Sequence, residues 1–268
     1  MNNELLAALL RHCGLPTHGT PQELLSNTLR AFSRIPYENL TKIIAHAESS
    51  EKHWKQSPVE LVHGFIRNGT GGTCFPLTAC LLHLIRSLGY EAGAILANRR
   101  YGSDTHCAVI IRLGRGPWYL IDPGYMIFSP CQLPLAEDNS MGSLTLRYNL
   151  PHGAIELSPT TDPMRIELYT LRSSEQRRYR LTYKVNPIDE TEFNSAWDRS
   201  FSWDMMRYPV LSVVSGSEHI YLQKNNLLIR SAHDSNRATL TTEQLILELA
   251  PRLGIESSVL QRALQLVR

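Results

Sequence analysis

Three side chains in this chain carry the parts of an activated nucleophile. They are Cys74 in Gly71-Gly72-Thr73-Cys74-Phe75, His106 in Thr105-His106, and Asp122 in Asp122-Pro123-Gly124-Tyr125. In such a set the imidazole takes the thiol proton and the carboxylate orients the imidazole. Each residue has a plainer reading when taken alone. A single Cys is usually a small buried hydrophobe. A His at a strand start is usually structural, and Asp before Pro-Gly is a common turn former. Together, each at the end of an apolar element, they point to thiol chemistry.

The elements that must position them are legible. Cys74 opens a run, Leu77 to Leu88, that stops at Gly89 and reads as a helix. A helix N-terminus stabilises a thiolate. His106 opens the apolar strand Cys107–Ile111, and Asp122 closes a second, Trp118–Ile121. The linker from Arg112 to Pro117 holds Gly114 and Gly116, so the two strands read as a hairpin. Pairing them brings His106 and Asp122 to neighbouring strand ends.

The chain resembles the arylamine N-acetyltransferases over nearly its whole length. Arg34-Ile35-Pro36-Tyr37-Glu38-Asn39-Leu40 is similar to the family's Pro-Phe-Glu-Asn-Leu signature. Thr70-Gly71-Gly72-Thr73-Cys74-Phe75-Pro76-Leu77-Thr78 is similar to Arg-Gly-Gly-x-Cys-Phe-Glu-x-Asn, and Asp122-Pro123-Gly124-Tyr125-Met126 to Asp-Val-Gly-Phe-Gly. The resemblance implies Cys74 as nucleophile, His106 as base and Asp122 as orienter. It implies an acetyl group taken from acetyl-CoA onto Cys74 and passed to an arylamine or hydrazine nitrogen, with acetyl-CoA as co-substrate and no bound cofactor. Gly102 and Ser103 lie upstream of His106, where family members contact acceptor and donor, although Ser103 also reads as a polar turn residue. Gly124, Tyr125 and Phe75 fall on the substrate side of the site. Tyr125 and Phe75 would wall an aromatic acceptor pocket or belong to the core. In the family an N-terminal Arg pairs with the Glu of the first signature, which implies a buried Arg11–Glu38 ion pair. The alternative is two surface charges. Thr70, Pro76, Thr78 and Met126 depart from the pattern. Met126 stands where the family keeps a Gly for backbone room near the acyl-CoA.

Pattern alone gives the fold class α+β. Residues 1–90 read as helical. Thr20-Pro21-Gln22-Glu23 and Ser57-Pro58-Val59-Glu60 are capping boxes with Pro at the first helical position. Residues 91–190 are strand-rich, with Pro151 to Asp162 read as a loop. Residues 191–268 mix strands and helices. Glu218–Leu222 and Leu227–Arg230 flank a Lys224-Asn225-Asn226 turn, and Thr241–Gln244 caps a late helix. The resemblance turns these stretches into a helical bundle, a central β-barrel and a C-terminal α/β lid around a cysteine-protease-like core. Papain-like hydrolases and transglutaminases share that core's logic, so fold analogy leaves acyl transfer and hydrolysis unseparated.

Composition bounds the rest. The 268 residues are 43% hydrophobic and 19% charged with net charge +2. No basic cluster of five or more occurs, which argues against nucleic acid as the main ligand. No apolar run reaches the length of a membrane span, and the N-terminus lacks a basic leader. Five cysteines at irregular spacing fit a reducing cytoplasm and no disulfide framework. Neither CxxC nor HExxH spacing occurs, so no metal site is expected. The expected partners are a small amine and an acyl thioester, with the chain a monomer or homodimer. Cys107 reads as strand filler or a pocket wall. Amide synthesis from a carrier-bound acyl donor, thiol hydrolysis and a catalytically silent homologue remain alternative readings.

Overall fold

Helix starts follow the local chemistry. In the computed structural model both predicted capping boxes form, with Thr20 and Ser57 accepting from Glu23 N and Glu60 N. The described residues are 4–50, 54–135, 144–171, 176–231 and 234–267, so Met1–Asn3 of the N-terminal segment lie outside them. The N-terminal stretch holds α1 (Glu4–His12), α2 (Pro21–Phe32), the two-residue strand β1 (Tyr37–Glu38), α3 (Leu40–Glu48), α4 (Pro58–Asn68) and α5 (Cys74–Ser87). Gly89, at φ +87°, ends α5 where the sequence placed its stop.

Eight antiparallel strands follow: β2 (Glu91–Arg99), β3 (Gly102–Arg112), β4 (Trp118–Asp122), β5 (Ile127–Gln132), β6 (Leu146–Leu150), β7 (Gly153–Pro159), β8 (Arg165–Leu171) and β9 (Arg177–Lys184). Their order is β5-β4-β3-β2-β9-β8-β7-β6. The Tyr148 hydroxyl on β6 donates to the Gln132 carbonyl on β5, so the sheet nearly closes into a barrel. Ile95, Ile110, Leu120, Leu157, Leu168 and Leu181 fill its inside. The reading of Pro151–Asp162 as a loop is corrected: β7 occupies most of it. Ile155 and Leu157 alternate inward there, and the flanking Pro and Thr residues mask that alternation.

A second sheet has the order β1-β10-β11-β12-β13, with β10 at Val210–Ser215, β11 at Glu218–Gln223, β12 at Asn226–Arg230 and β13 at Ser235–Thr239. The predicted hairpin at Lys224-Asn225 joins β11 to β12. Leu222, Leu245, Leu249 and Leu260 bury its inner face under the C-terminal helices. α6 (Glu190–Arg199) sends Phe193 and Trp197 into the N-terminal core beside α5. The architecture is α+β with a cysteine-protease-like catalytic core. No helix among the described residues is long and apolar enough to cross a membrane.

Candidate active site

The nucleophile loop is shaped by close backbone approach. A side chain on Gly71 would lie 1.9 Å from the Pro36 carbonyl oxygen, and one on Gly72 would lie 2.7 Å from Pro76 Cγ. The glycines let the loop pair with Tyr37-Glu38: Glu38 N–H donates to the Gly72 carbonyl at 3.0 Å. Cys74 is the first residue of α5, and its first turn holds no acidic side chain. Free N–H groups at a helix start favour negative charge on that thiol.

The β2–β3–β4 register delivers the other two groups. His106 on β3 lies opposite Ala97 on β2, and Asp122 ends β4. His106 Nε2 lies 2.7 Å from Asp122 Oδ2. The other carboxylate oxygen accepts from the Tyr125 N–H at 3.0 Å, so Asp122 both forms the turn and orients the imidazole. Tyr183 on β9, also opposite Ala97, donates its hydroxyl to Asp122 Oδ2 at 2.6 Å. Gly124 closes the assembly. A Cβ on it would sit 2.5 Å from His106 Cε1 and 3.1 Å from Cys74 Cβ. Cys74 is 2% exposed, and His106 and Asp122 are fully buried.

The surroundings shift both reactive groups. The Cys74 thiol is held well below the usual range. A hydrogen bond from the Cys107 thiol is the largest cause, and the bond and charge of His106 and the charge of Arg99 assist; together they outweigh burial. Burial pulls the His106 pKa down, but the charge and hydrogen bond of Asp122 prevail and leave it raised. Burial and the Cys74 contact push Cys107 up, so it keeps its proton and donates. The set can therefore hold a thiolate–imidazolium pair.

The N-acetyltransferase family model matches residues 22–258. The chain belongs to the arylamine N-acetyltransferase family. Its fold is similar to the Mycobacterium smegmatis arylamine N-acetyltransferase (17% identity, 98% of each chain, TM-score 0.79). It is similar too to the Mycobacterium abscessus enzyme (18% identity, 97% of this chain and 94% of that one, TM-score 0.79). The Mycobacterium marinum enzyme in complex with CoA also matches (15% identity, 98% of this chain and 100% of that one, TM-score 0.78). No curated protein sequence matches the chain.

Two expectations drawn from the family are corrected. Arg11 is exposed on the last turn of α1 and makes no ion pair with Glu38. Glu38 is fully buried, and its carboxylate accepts instead from Thr41 N–H at 3.0 Å, the Thr41 hydroxyl at 2.7 Å and Gly71 N–H at 3.2 Å. The arylamine N-acetyltransferase signature thus holds the nucleophile loop by neutral donors, and burial raises the Glu38 pKa. Phe75 does not wall an open pocket. Its ring is fully buried, stacked on Trp197 and edge-on to Phe193. Tyr125, by contrast, is partly exposed and packs edge-on against His106 at 5.2 Å. Gly102 opens β3 and Ser103 is exposed beside it, four and three residues before His106 on the same strand.

The departures from the family pattern have local roles. Thr78 donates its hydroxyl to the Cys107 carbonyl at 3.4 Å. Pro76 packs on Gly72, and Thr70 is buried under Gly64. Met126 has φ +58°, a conformation that favours glycine, and its side chain is buried. It also lines a cleft of about 820 Å³ with Leu25, Arg30, Phe128, His152 and Val214. Three site neighbours escaped sequence reasoning: Arg99, Cys107 as a partner of the thiol, and Tyr183. Arg99 and Tyr183 become visible only from the β3–β2–β9 register.

Proposed function

We propose that this chain moves an acyl group from a CoA thioester to an arylamine or hydrazine nitrogen through a thioester on Cys74. The observation that carries this reading is the Cys74–His106–Asp122 geometry, with the thiol pKa lowered and the imidazole pKa raised. The M. marinum relative in complex with CoA supports a CoA thioester as donor.

Because Nε2 is engaged by Asp122, Nδ1 is the nitrogen that receives the Cys74 proton. The thiolate adds to the thioester carbonyl, and the free backbone N–H of Cys74 at the start of α5 holds the oxyanion. The C–S bond to CoA breaks, and CoA leaves with the proton from His106. The amine then attacks the Cys74 thioester, His106 accepts one amine proton, and the C–S bond to Cys74 breaks as the amide forms. The proton returned from His106 restores the thiol.

Intact-mass spectrometry after incubation with acetyl-CoA tests this. A single acetyl gain, absent in Cys74→Ala and discharged by an added arylamine, is expected. A wild-type protein that gains no acyl group from any CoA thioester overturns it. Met126, whose buried side chain stands in place of the family Gly, favours a second reading: amide synthesis from a carrier-bound donor. Loading by an N-acetylcysteamine thioester but not by acetyl-CoA would select that reading.

A further inference from the structure

Arg99 has more donors than the fold supplies acceptors. Its guanidinium donates to the Tyr101 hydroxyl at 2.6 Å and to His106 Nδ1 at 3.0 Å. Its Nε is buried with no hydrogen-bond partner. Among the described residues it makes no ion pair. The groups around it are the phenols of Tyr37, Tyr101 and Tyr125 and the Cys74 thiol. Its guanidinium lies 5.4 Å from the Tyr125 ring centre and 5.9 Å from that of Tyr101. A purely structural arginine whose Nε is this enclosed is normally paired with a carboxylate, since a buried donor without an acceptor is costly.

Its place is also specific. The triad is sealed from solvent, whereas Arg99 is partly exposed and its partner Tyr101 is exposed. The Arg99 guanidinium also occupies the Nδ1 lone pair that must accept the Cys74 proton. For the proton to move from Sγ to Nδ1, the Arg99 contact must open and the guanidinium needs another acceptor. A planar carboxylate matches its fork of donors better than a phenol does.

We propose that Arg99 is the carboxylate-binding residue of this active site, so that the favoured substrate carries a carboxylate next to the reacting atoms. The carboxylate arrives on the acyl group, as in a dicarboxylic acid mono-thioester, or on the acceptor, as in an aminobenzoate. Binding it both holds the substrate and releases His106 Nδ1 for the thiol proton. The inference rests on the Cys74 thioester reading.

The full chain is tested in two arms, each against a neutral analogue of similar size. Cys74 loading is timed by intact mass with succinyl-CoA against butyryl-CoA. Discharge of the butyryl-loaded enzyme is timed with 4-aminobenzoate against 4-aminobenzamide. A carboxylate preference of about 10- to 100-fold is expected in one arm, and that arm names the source. Arg99→Gln is expected to collapse the preference ratio toward one, and Arg99→Lys to keep part of it. Wild-type ratios within about twofold in both arms overturn the inference whether or not the variants fold, as does a ratio unchanged in Arg99→Gln. Loading by the neutral thioester without preference removes this inference alone. No loading by any CoA thioester removes the thioester reading and this inference with it.

Discussion

His106 and His219 sit in different sheets with the same wiring. Arg99 donates to Nδ1 of the first at 3.0 Å, and Arg230, its cross-strand neighbour, donates to Nδ1 of the second at 3.1 Å. With Nδ1 accepting, Nε2 carries the hydrogen in each. His106 Nε2–H donates to the Asp122 carboxylate, and His219 Nε2–H donates to the Ser212 hydroxyl, both at 2.7 Å. That one acceptor separates their chemistry. Burial, then His152, Arg230 and Arg180, push His219 down to about 3. Its ring neighbour His152 falls to about 4, from burial and then Arg230. His106 suffers the same burial and a similar guanidinium, yet Asp122 turns its shift upward. Burial and a neighbouring arginine are common to both; the carboxylate makes one of them a base.

Exchanging that carboxylate should have the largest effect. Asp122→Asn leaves His106 in an environment like that of His219, and Cys74 loading should fall by about 10⁴-fold. Timed intact-mass loading with circular dichroism as a fold control checks this. A loss below tenfold would remove Asp122 from its role. Gly124→Ala disturbs the same imbalance sterically, by driving a methyl into His106 Cε1. We expect loading about 10²-fold slower, with wild-type rates as the outcome against it.

The two imidazole environments also pull stability in opposite directions with pH. His152 and His219 have folded values below the ordinary 6.5, so the unfolded chain binds protons first on acidification. Stability should fall from about pH 6.5 toward pH 4, by at most about 1.4 kcal/mol per pH unit for each histidine. The raised His106 acts the other way: its contribution is full below pH 6.5 and is lost as pH rises through its folded value. Urea midpoints at pH 7, 6, 5 and 4 measure the slope, which the double substitution His152→Gln and His219→Gln should flatten. The smallest effect lies in the hairpin that carries His219. Lys224 has φ +60°, so Lys224→Gly should raise stability by about 1 kcal/mol. Cys74 loading should stay unchanged; a changed loading rate would show that the two regions are energetically joined.

The sequence made the elements legible where local chemistry sets them. Capping boxes, the Gly89 stop, the β3–β4 hairpin and the turn at Lys224 all follow from residues within a few positions of each other. The catalytic set was legible as residue types, and Cys74 opens α5 and Asp122 closes β4 as expected, but His106 lies inside β3 rather than at its start, because the strand begins four residues earlier at Gly102. What was not legible depends on register between distant strands. Ala97 has His106 on one side and Tyr183 on the other, and Arg99 is two residues along the same strand past a bulge. Periodicity tells which face a residue takes within its strand, and it does not tell which strand lies beside it. Arg11 failed for a related reason: position in the chain matched the family, but α1 turns that side chain outward.

The two-residue strand Tyr37-Glu38 has a further consequence for motion. It covers the edge of the second sheet by pairing with Leu211 and Ser212, and its own free edge takes the Gly72 bridge. The loop that carries the nucleophile is thereby stitched onto a sheet whose other strands lie more than a hundred residues later in the chain. Loosening that loop means exposing the Glu38 carboxylate and peeling the sheet edge together. The Gly71 amide, with its proton on buried Glu38, should therefore exchange with solvent at the rate of the second sheet rather than of a surface loop.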